Sequence, residues 1–169
     1  GVTPVDLRTS HKEITIVADV VDGDLPNCPQ CQKPLYRHGK RVTTFADTPI
    51  QMQPVRLEVS RPRYRCAECA KLVTPELPFL DERRRATARL VDAVRERCLG
   101  QTFHSLAEQT GLAVNTIKNI ANDLIEELEE NVRYETPVIL GIDEVMIGGK
   151  YRCVMTNLAT NNVFEILEV

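Results

Sequence analysis

The sequence predicts an α+β fold of several domains, with β-rich parts at both ends of the chain and helices between them. Three observations support this. Two Cys-x-x-Cys pairs, separated by 34 residues, lie in a stretch rich in β-branched residues. Apolar residues recur at helical spacing from residue 86 to about residue 132, and short apolar runs separated by turn residues fill the end of the chain. The expected domains are residues 1–80, 81–134 and 135–169.

The first domain contains several β patterns. Residues 13–21 are rich in β-branched side chains and predict a strand, followed by a turn at residues 22–24. Residues 40–65 predict several short β segments, interrupted at residues 47–49 and 53–54, where prolines occur. Within them, residues 55–60 alternate between apolar and polar side chains, as expected for a half-buried strand.

The two Cys-x-x-Cys pairs predict a metal site with the ligands Cys28, Cys31, Cys66 and Cys69. Zinc takes four ligands, and four thiolates leave no position for water, so the predicted Zn²⁺ is structural. The alternative role for such cysteines, a redox dithiol, needs only one Cys-x-x-Cys pair. His38 is an alternative ligand. With four cysteines present, we instead expect His38 to be a surface residue or a contact to nucleic acid. Cys98 and Cys153 are isolated, and we expect both to be buried small apolar residues.

The middle of the chain predicts three helices. The first covers residues 86–99 and ends at Gly100, the second covers residues 103–109 and ends before Gly111, and the third covers about residues 115–132. The buried positions predicted for the first helix are Leu90, Val91, Val94 and Cys98. Those predicted for the third are Ile117, Ile120, Ala121, Leu124, Ile125 and Leu128.

The second and third helices have the pattern of a helix-turn-helix motif. Ala107 is small where two helices would cross, Gly111 permits a positive φ in the turn, and Leu112 would fill the corner. A helix in the major groove could then reach base edges or phosphates with its exposed side chains. These are Asn115, Thr116, Lys118, Asn119 and Asn122. The alternative is an ordinary helical hairpin within a core.

The charge distribution favours a polyanionic partner for the middle of the chain. The whole chain has a formal net charge of -3, yet residues 28–97 carry 15 basic and 8 acidic side chains. The candidate phosphate contacts in the helical region are Arg83, Arg84, Arg85 and Arg89, with Arg95 and Arg97 further along. Those in the cysteine-rich region are Arg56, Arg61, Arg63 and Arg65. A solvated charged surface is the alternative interpretation.

The last part of the chain predicts three strands, over residues 138–144, 151–156 and 163–169, with turns at residues 148–149 and 160–162. The first is expected to be buried and to end in acids. Asp143 at its end could hold Mg²⁺, although a hard cation needs more ligands than one, and a plain strand-end acid fits as well.

The sequence also limits cellular location. No apolar run approaches the roughly 20 residues that cross a bilayer. The first residues lack a basic segment followed by an apolar one, so we expect no signal peptide and no membrane partner. A cytoplasmic protein is the resulting expectation.

The order of these segments resembles bacterial insertion-sequence transposases of the ISL3 family. The resemblance is carried by the two cysteine pairs with Arg63-Tyr64-Arg65, by residues 105–122, and by Leu140-Gly141-Ile142-Asp143-Glu144. It implies an N-terminal zinc ribbon, a helix-turn-helix domain and the first three strands of an RNase-H-like catalytic domain. Its expected partner is double-stranded DNA at transposon ends, in the bacterial cytoplasm at the nucleoid.

The family resemblance also implies cut-and-paste DNA transposition by a DDE triad of acids with Mg²⁺. Asp143 would be the first acid, and Glu144, Glu165 and Glu168 do not stand where the others are expected. With one acid of the triad and not the other two, we expect this chain to bind DNA without cutting it. Mg²⁺ is expected only in a complete catalytic domain. An exposed edge of an incomplete sheet would also favour a homodimer.

Two alternatives stay open at this point. One is a stand-alone DNA-binding regulator derived from a transposase. The other is a zinc-ribbon module that binds protein partners through its helices.

Overall fold

The computed structural model describes residues 2–21, 27–131 and 136–168. The chain forms two compact units, Gly1–Glu126 and Glu127–Val169. The predicted boundary between residues 80 and 81 lies inside the first unit, so the cysteine-rich and helical regions share one compact body. The predicted turn at residues 22–24, and Val132 at the predicted end of the third helix, lie outside the described residues.

A seven-stranded sheet forms the frame of the first unit. Its strands are β1 (Val2–Thr9), β2 (Ile14–Val20), β3 (Leu35–Ile50), β4 (Gln53–Cys66), β5 (Leu72–Val73), β6 (Leu80–Asp81) and β7 (Ala86–Thr87). Their order is β1-β2-β4-β3-β7-β6, and β5 pairs with β4. The predicted strand at residues 13–21 corresponds to β2, whereas β1 was missed by the sequence patterns.

Strands β3 and β4 form one long antiparallel hairpin, so the expectation of several short segments in residues 40–65 is wrong. The turn consists of Gln51 and Met52, which both take positive φ, 50° and 66°. Positive φ at both central residues matches the twist of paired strands, although Gly or Asn usually fills these positions. The register shifts between Asp47 and Ile50, so Pro49 lies in an irregular stretch where its missing N–H interrupts no regular ladder.

Three helices follow the sheet, within two residues of the predicted bounds. They are α1 (Ala88–Arg97), α2 (Phe103–Thr110) and α3 (Val114–Asn131). The Thr87 hydroxyl accepts a hydrogen bond from the Leu90 amide at the start of α1. The Thr102 hydroxyl does the same for Ser105 at the start of α2. Such caps satisfy amide groups that have no partner within the helix.

The helices share one apolar core. Its buried members are Ala86, Leu90, Val91, Val94, Cys98, Leu106, Leu112, Ile117, Ile120 and Ala121. Leu124 packs against this core, but Ile125 and Leu128 are exposed, which contradicts their predicted place on the buried face. The helical core includes α3 residues only up to Leu124, so the apolar residues of α3 beyond that point do not pack in it.

The second unit contains an antiparallel sheet of three strands in the order β10-β9-β8. They are β8 (Leu140–Ile147), β9 (Lys150–Asn157) and β10 (Asn162–Glu168), and Gly148 and Gly149 turn the chain with positive φ. The expectation of a buried strand ending in acids is wrong, because β8 continues to Ile147 and Ile142 is 64% exposed. Cys153 is only half-buried, also against expectation. Among residues 136–168 no second layer covers this sheet.

No helix among the described residues is both long enough and apolar enough to cross a membrane.

Candidate metal centre and nucleic-acid interface

The four cysteines of the two Cys-x-x-Cys pairs lie together. Their sulfur atoms all lie within 4.8 Å of one another. The Sγ atoms of Cys28 and Cys69 are 3.5 Å apart, and those of Cys31 and Cys66 are 3.4 Å apart. Zn–S bonds of about 2.3 Å in a tetrahedron separate sulfurs by about 3.8 Å. No disulfide joins these residues, and the cluster therefore has the size and ligand type of a closed zinc site.

The two cysteine pairs are held by the same backbone arrangement. The amide of Cys28 donates to the carbonyl of Lys33 at 2.8 Å, and the amide of Cys66 donates to the carbonyl of Lys71 at 3.0 Å. The residue after the second cysteine takes positive φ in both cases, 59° at Gln32 and 56° at Ala70. Each pair thus forms a tight knuckle that presents two sulfurs on one side.

Backbone amides in the knuckles favour the thiolate form of the first cysteine in each pair. Hydrogen bonds from the backbone, the strongest from Cys31 and the next from Gln30, lower the pKa of Cys28 to about 6. Burial has the opposing effect. The backbone of Cys69 lowers the pKa of Cys66 in the same way. Such bonds to sulfur are typical of metal ligands, because they stabilise negative charge.

The second cysteine of the first pair has the opposite pKa shift. The backbone of Lys33 lowers the pKa of Cys31, but the neighbouring thiols and burial outweigh it and raise that pKa to about 12. Several thiolates cannot accumulate in one small site without a positive charge to neutralise them. A divalent soft cation supplies that charge, so the donor set fits zinc.

The sheet positions this cluster. Leu35 at the start of β3 pairs with Cys66 at the end of β4, and both side chains are buried with Cys28 and Tyr64 in a small core. The His38 imidazole lies outside the cluster, where its exposed ring contacts Tyr36 edge to face with centroids 6.3 Å apart. The geometry thus agrees with the four-cysteine set.

Helices α2 and α3 have helix-turn-helix geometry. Gly111 ends α2 with φ of 70°, and its amide donates to the carbonyl of Ala107 at 2.9 Å. Leu112 is buried in the helical core, where Ala107 also packs. The Thr110 hydroxyl donates to the carbonyl of Leu106 at 2.6 Å. Each feature that the sequence analysis assigned to this turn is present.

The polar face of α3 borders a shallow cavity that is also lined by part of the arginine loop, residues 83–85. Asn115, Lys118, Asn119 and Asn122 are exposed, and Thr116 is half-buried. A cavity of about 340 Å³ is lined by Arg83, Arg84, Thr116, Asn119, Asn122, Asp123 and Glu126. The structure thus brings α3 and the first part of Arg83-Arg84-Arg85 to one surface, which sequence spacing alone could not establish.

The arginines of this region differ in their surroundings. The Arg83 side chain is 69% exposed and donates to Asp123 at 2.6 Å. The Arg84 side chain is 15% exposed and pairs with both Asp81 and Asp123. Arg85 is exposed. Arg89 is also exposed, but its guanidinium pairs with the buried Asp47. Arg84 therefore links Asp81 to Asp123 within the protein, whereas Arg83 and Arg85 face solvent.

The arginines of β4 also differ from one another. Arg56 is exposed and donates to Glu13 at 2.7 Å, and Arg63 and Arg65 are half-buried. Arg61 is buried at 5% exposure, with its guanidinium 5.7 Å from the Phe45 ring centre and paired with Glu82. Its assignment as a phosphate contact is therefore corrected, because a buried, paired guanidinium cannot reach a phosphate.

Further exposed basic residues of the cysteine-rich region were not predicted individually from the sequence. Lys33 and Lys71 follow the two knuckles, and Arg37 and Arg41 lie on β3. The excess of basic residues between positions 28 and 97 was the signal that could have identified them.

Asp143 lies within β8 opposite Val154, and its carboxylate accepts a hydrogen bond of 2.8 Å from the Glu144 amide. Among the described residues, the metal-ligand cluster is the four-cysteine group, and no group of three or more candidate ligands includes Asp143.

Comparison with known families assigns both parts of the first unit. The model described as the zinc-finger of transposases IS204, IS1001, IS1096 and IS1165 matches residues 24–69. The model described as the helix-turn-helix domain of transposase family ISL3 matches residues 75–125. No curated protein and no solved structure matches the chain.

The first unit thus combines a zinc ribbon and a helix-turn-helix in one DNA-binding body that contains a site for structural zinc. The chain carries the N-terminal region of an ISL3-family transposase. The resemblance predicted from motif order is thereby confirmed for these two domains.

Proposed function

We propose that the first unit binds double-stranded transposon-end DNA in a sequence-specific way, with α3 in the major groove. The observation that carries this proposal is the common surface formed by the exposed face of α3 and the Arg83-Arg84 loop. Amide side chains beside guanidinium groups match a groove in which base edges are flanked by phosphates.

The exposed residues of α3 divide by chemistry. Asn115, Asn119 and Asn122 are spaced by four and three residues, so they lie on one face of the helix. An asparagine amide can donate and accept at an adenine edge, which makes these residues candidates for base reading. Lys118, Arg83 and Arg85 are point charges or forks suited to phosphates. Thr116 has a short, half-buried side chain that lines the cavity, and in this proposal it contacts the DNA there.

The zinc ribbon provides the second contact in this proposal. Lys33 and Lys71 follow the two knuckles, and the other basic groups, Arg37, Arg41, Arg63 and Arg65, lie along the hairpin of β3 and β4. Because the ribbon and the helices belong to one compact unit, we expect the spacing between the two contacts to be set before binding. A fixed spacing favours duplexes in which both contacts fall in register.

For the second unit, we propose that β8, β9 and β10 form the first strands of an RNase-H-like domain. Support comes from their antiparallel order and from an acid within the first of these strands. Asp143 is then the first acid of a DDE triad. Mg²⁺ requires further carboxylates beside it, so Asp143 alone supplies one ligand of such a site.

A salt titration of duplex binding tests the proposed DNA function. Fluorescence anisotropy with candidate end sequences and a scrambled duplex would be recorded between about 50 and 200 mM salt. Four phosphate contacts give a log–log slope of about -4, and the end sequence should bind more tightly than the scrambled one. A slope near zero would instead favour a protein-interaction module.

A basic residue outside this cavity provides the matched control. Arg8 on β1 is exposed, pairs with Asp6 and Glu58, and is not among the residues that line the cavity shared by α3 and the arginine loop. Arg8→Ala should leave the affinity and the salt slope unchanged, whereas Lys118→Ala should weaken binding to both duplexes. Equal effects of both substitutions would argue for nonspecific attraction to the whole protein.

A further inference from the structure

The loop that carries Arg83 is held rigidly from both sides. The Arg84 amide donates to the Asp81 carboxylate at 2.9 Å. Arg85 takes a positive φ of 54°, and its carbonyl accepts a hydrogen bond of 2.8 Å from the Ala46 amide on β3. The backbone position of this loop is therefore set by the sheet.

One carboxylate on α3 connects this loop to the proposed recognition helix. Asp123 accepts from Arg83 at 2.6 Å and also pairs with Arg84. The partly buried Arg84 guanidinium is shared with Asp81, so it anchors the loop to the helix. Arg83 uses one nitrogen for Asp123 and keeps most of its side chain in solvent. A guanidinium has five N–H groups, so this bond leaves others for a second partner.

The location of this pair matters for DNA binding. Asp123 follows Asn122 directly and lies one turn beyond Asn119, and all three line the same cavity as Arg83. A long arginine side chain without a partner samples many rotamers, and that freedom is lost when it binds a phosphate. The bond to Asp123 removes part of this freedom in advance.

We propose that Asp123 is a positioning residue that holds Arg83 beside the base-reading face of α3 for a phosphate of the bound duplex. The inference rests on the proposed DNA function. The proposal predicts a change in DNA affinity that is opposite to the one expected from charge alone. Coulomb attraction alone predicts that removing a negative charge next to DNA strengthens binding. Positioning predicts the reverse, a loss of about two- to tenfold in affinity, which corresponds to one ordered side chain.

The test uses the full chain and the duplex that the wild type binds most tightly. Asp123→Asn should weaken binding about two- to tenfold and make the salt slope less steep by up to about 1. Glu126→Gln is the matched control, because it removes the same charge from the same helix and the same cavity. It should bind as tightly as the wild type or slightly more tightly.

Two further variants separate positioning from a general structural role. Asp123→Glu keeps the carboxylate and should restore affinity to within about twofold of the wild type. In an Arg83→Ala background, Asp123→Asn should cause no further loss, because the residue that it positions is gone and Arg84 keeps its pair with Asp81. A loss that persists in that background, or tighter binding by Asp123→Asn, overturns the inference. A wild type without salt-dependent duplex binding would instead refute the proposed function.

Discussion

Asp47 on β3 accepts a hydrogen bond of 2.6 Å from the hydroxyl of Thr87, the residue that caps α1. The same carboxylate accepts from Arg89 at 2.7 Å and from the Thr48 amide at 2.8 Å. A buried acid of the sheet thus fixes the cap and the first turn of the helical region. This contact joins strand β3 to the start of the helical region.

We expect Asp47→Asn to lower the free energy of unfolding by about 1–3 kcal/mol at neutral pH. The substitution removes a buried charge that accepts several hydrogen bonds and leaves their donors poorly paired. Urea denaturation of the zinc-loaded protein measures the change. Asp19→Asn is the control, since its exposed carboxylate pairs with Lys40 at the surface, and it should have little effect. A wild-type unfolding midpoint in Asp47→Asn would contradict the bridging role.

The same carboxylate should give a specific pH dependence. Burial raises the pKa of Asp47, but hydrogen bonds from Arg89, Thr87 and the Thr48 amide outweigh it, so the pKa is lowered. Its contribution to stability is then complete above the unfolded-state value of about 3.9 and is lost as pH falls through the folded-state pKa. The stability difference between the wild type and Asp47→Asn should shrink below about pH 4. A difference that grows there would contradict this linkage.

Gly111 is a second position where local geometry dictates the residue. Its φ of 70° disfavours any side chain, and an added Cβ would lie 3.1 Å from the Cβ of Pro54 on β4. We expect Gly111→Ala to destabilise the protein by about 1–2 kcal/mol in urea denaturation. Gly100→Ala is the control, because the nearest atom to its added Cβ is 3.9 Å away and no positive φ is involved. Equal losses in both variants would show that the turn is not the cause.

The elements predicted correctly are those determined by nearby residues. The helix positions follow from periodicity and from Gly111, and the clustering of the four cysteines follows from the spacing of Cys28 and Cys31 and its repetition. The long hairpin was missed because its turn, at Gln51 and Met52, lacks the usual Gly or Asn. Arg61 was misassigned because Phe45 and Glu82 are remote in sequence, so only the folded chain shows its burial.

Metal content should depend on the four clustered cysteines alone. We expect about one zinc per chain in protein purified without chelator, and Cys66→Ser should lose it because three thiolates hold zinc far less well than four. Plasma emission spectrometry of the purified variants measures the ratio. Cys153→Ser is the control, since its sulfur lies in the second unit and should leave zinc unchanged. A full complement of zinc in Cys66→Ser would refute the assigned ligand set.

Substitutions on α3 should separate sequence reading from general affinity. Asn119→Ala removes an amide able to form two hydrogen bonds to one base, so it should weaken binding to the end sequence by about 1–3 kcal/mol and scarcely affect a scrambled duplex. Lys118→Ala should instead weaken both duplexes similarly and reduce the salt slope by about 1. Anisotropy titrations of both variants on both duplexes give the comparison. A similar loss on both duplexes for Asn119→Ala would place this residue on the phosphate backbone. The base contacts would then have to come from Asn115 and Asn122, because these residues share its face of the helix.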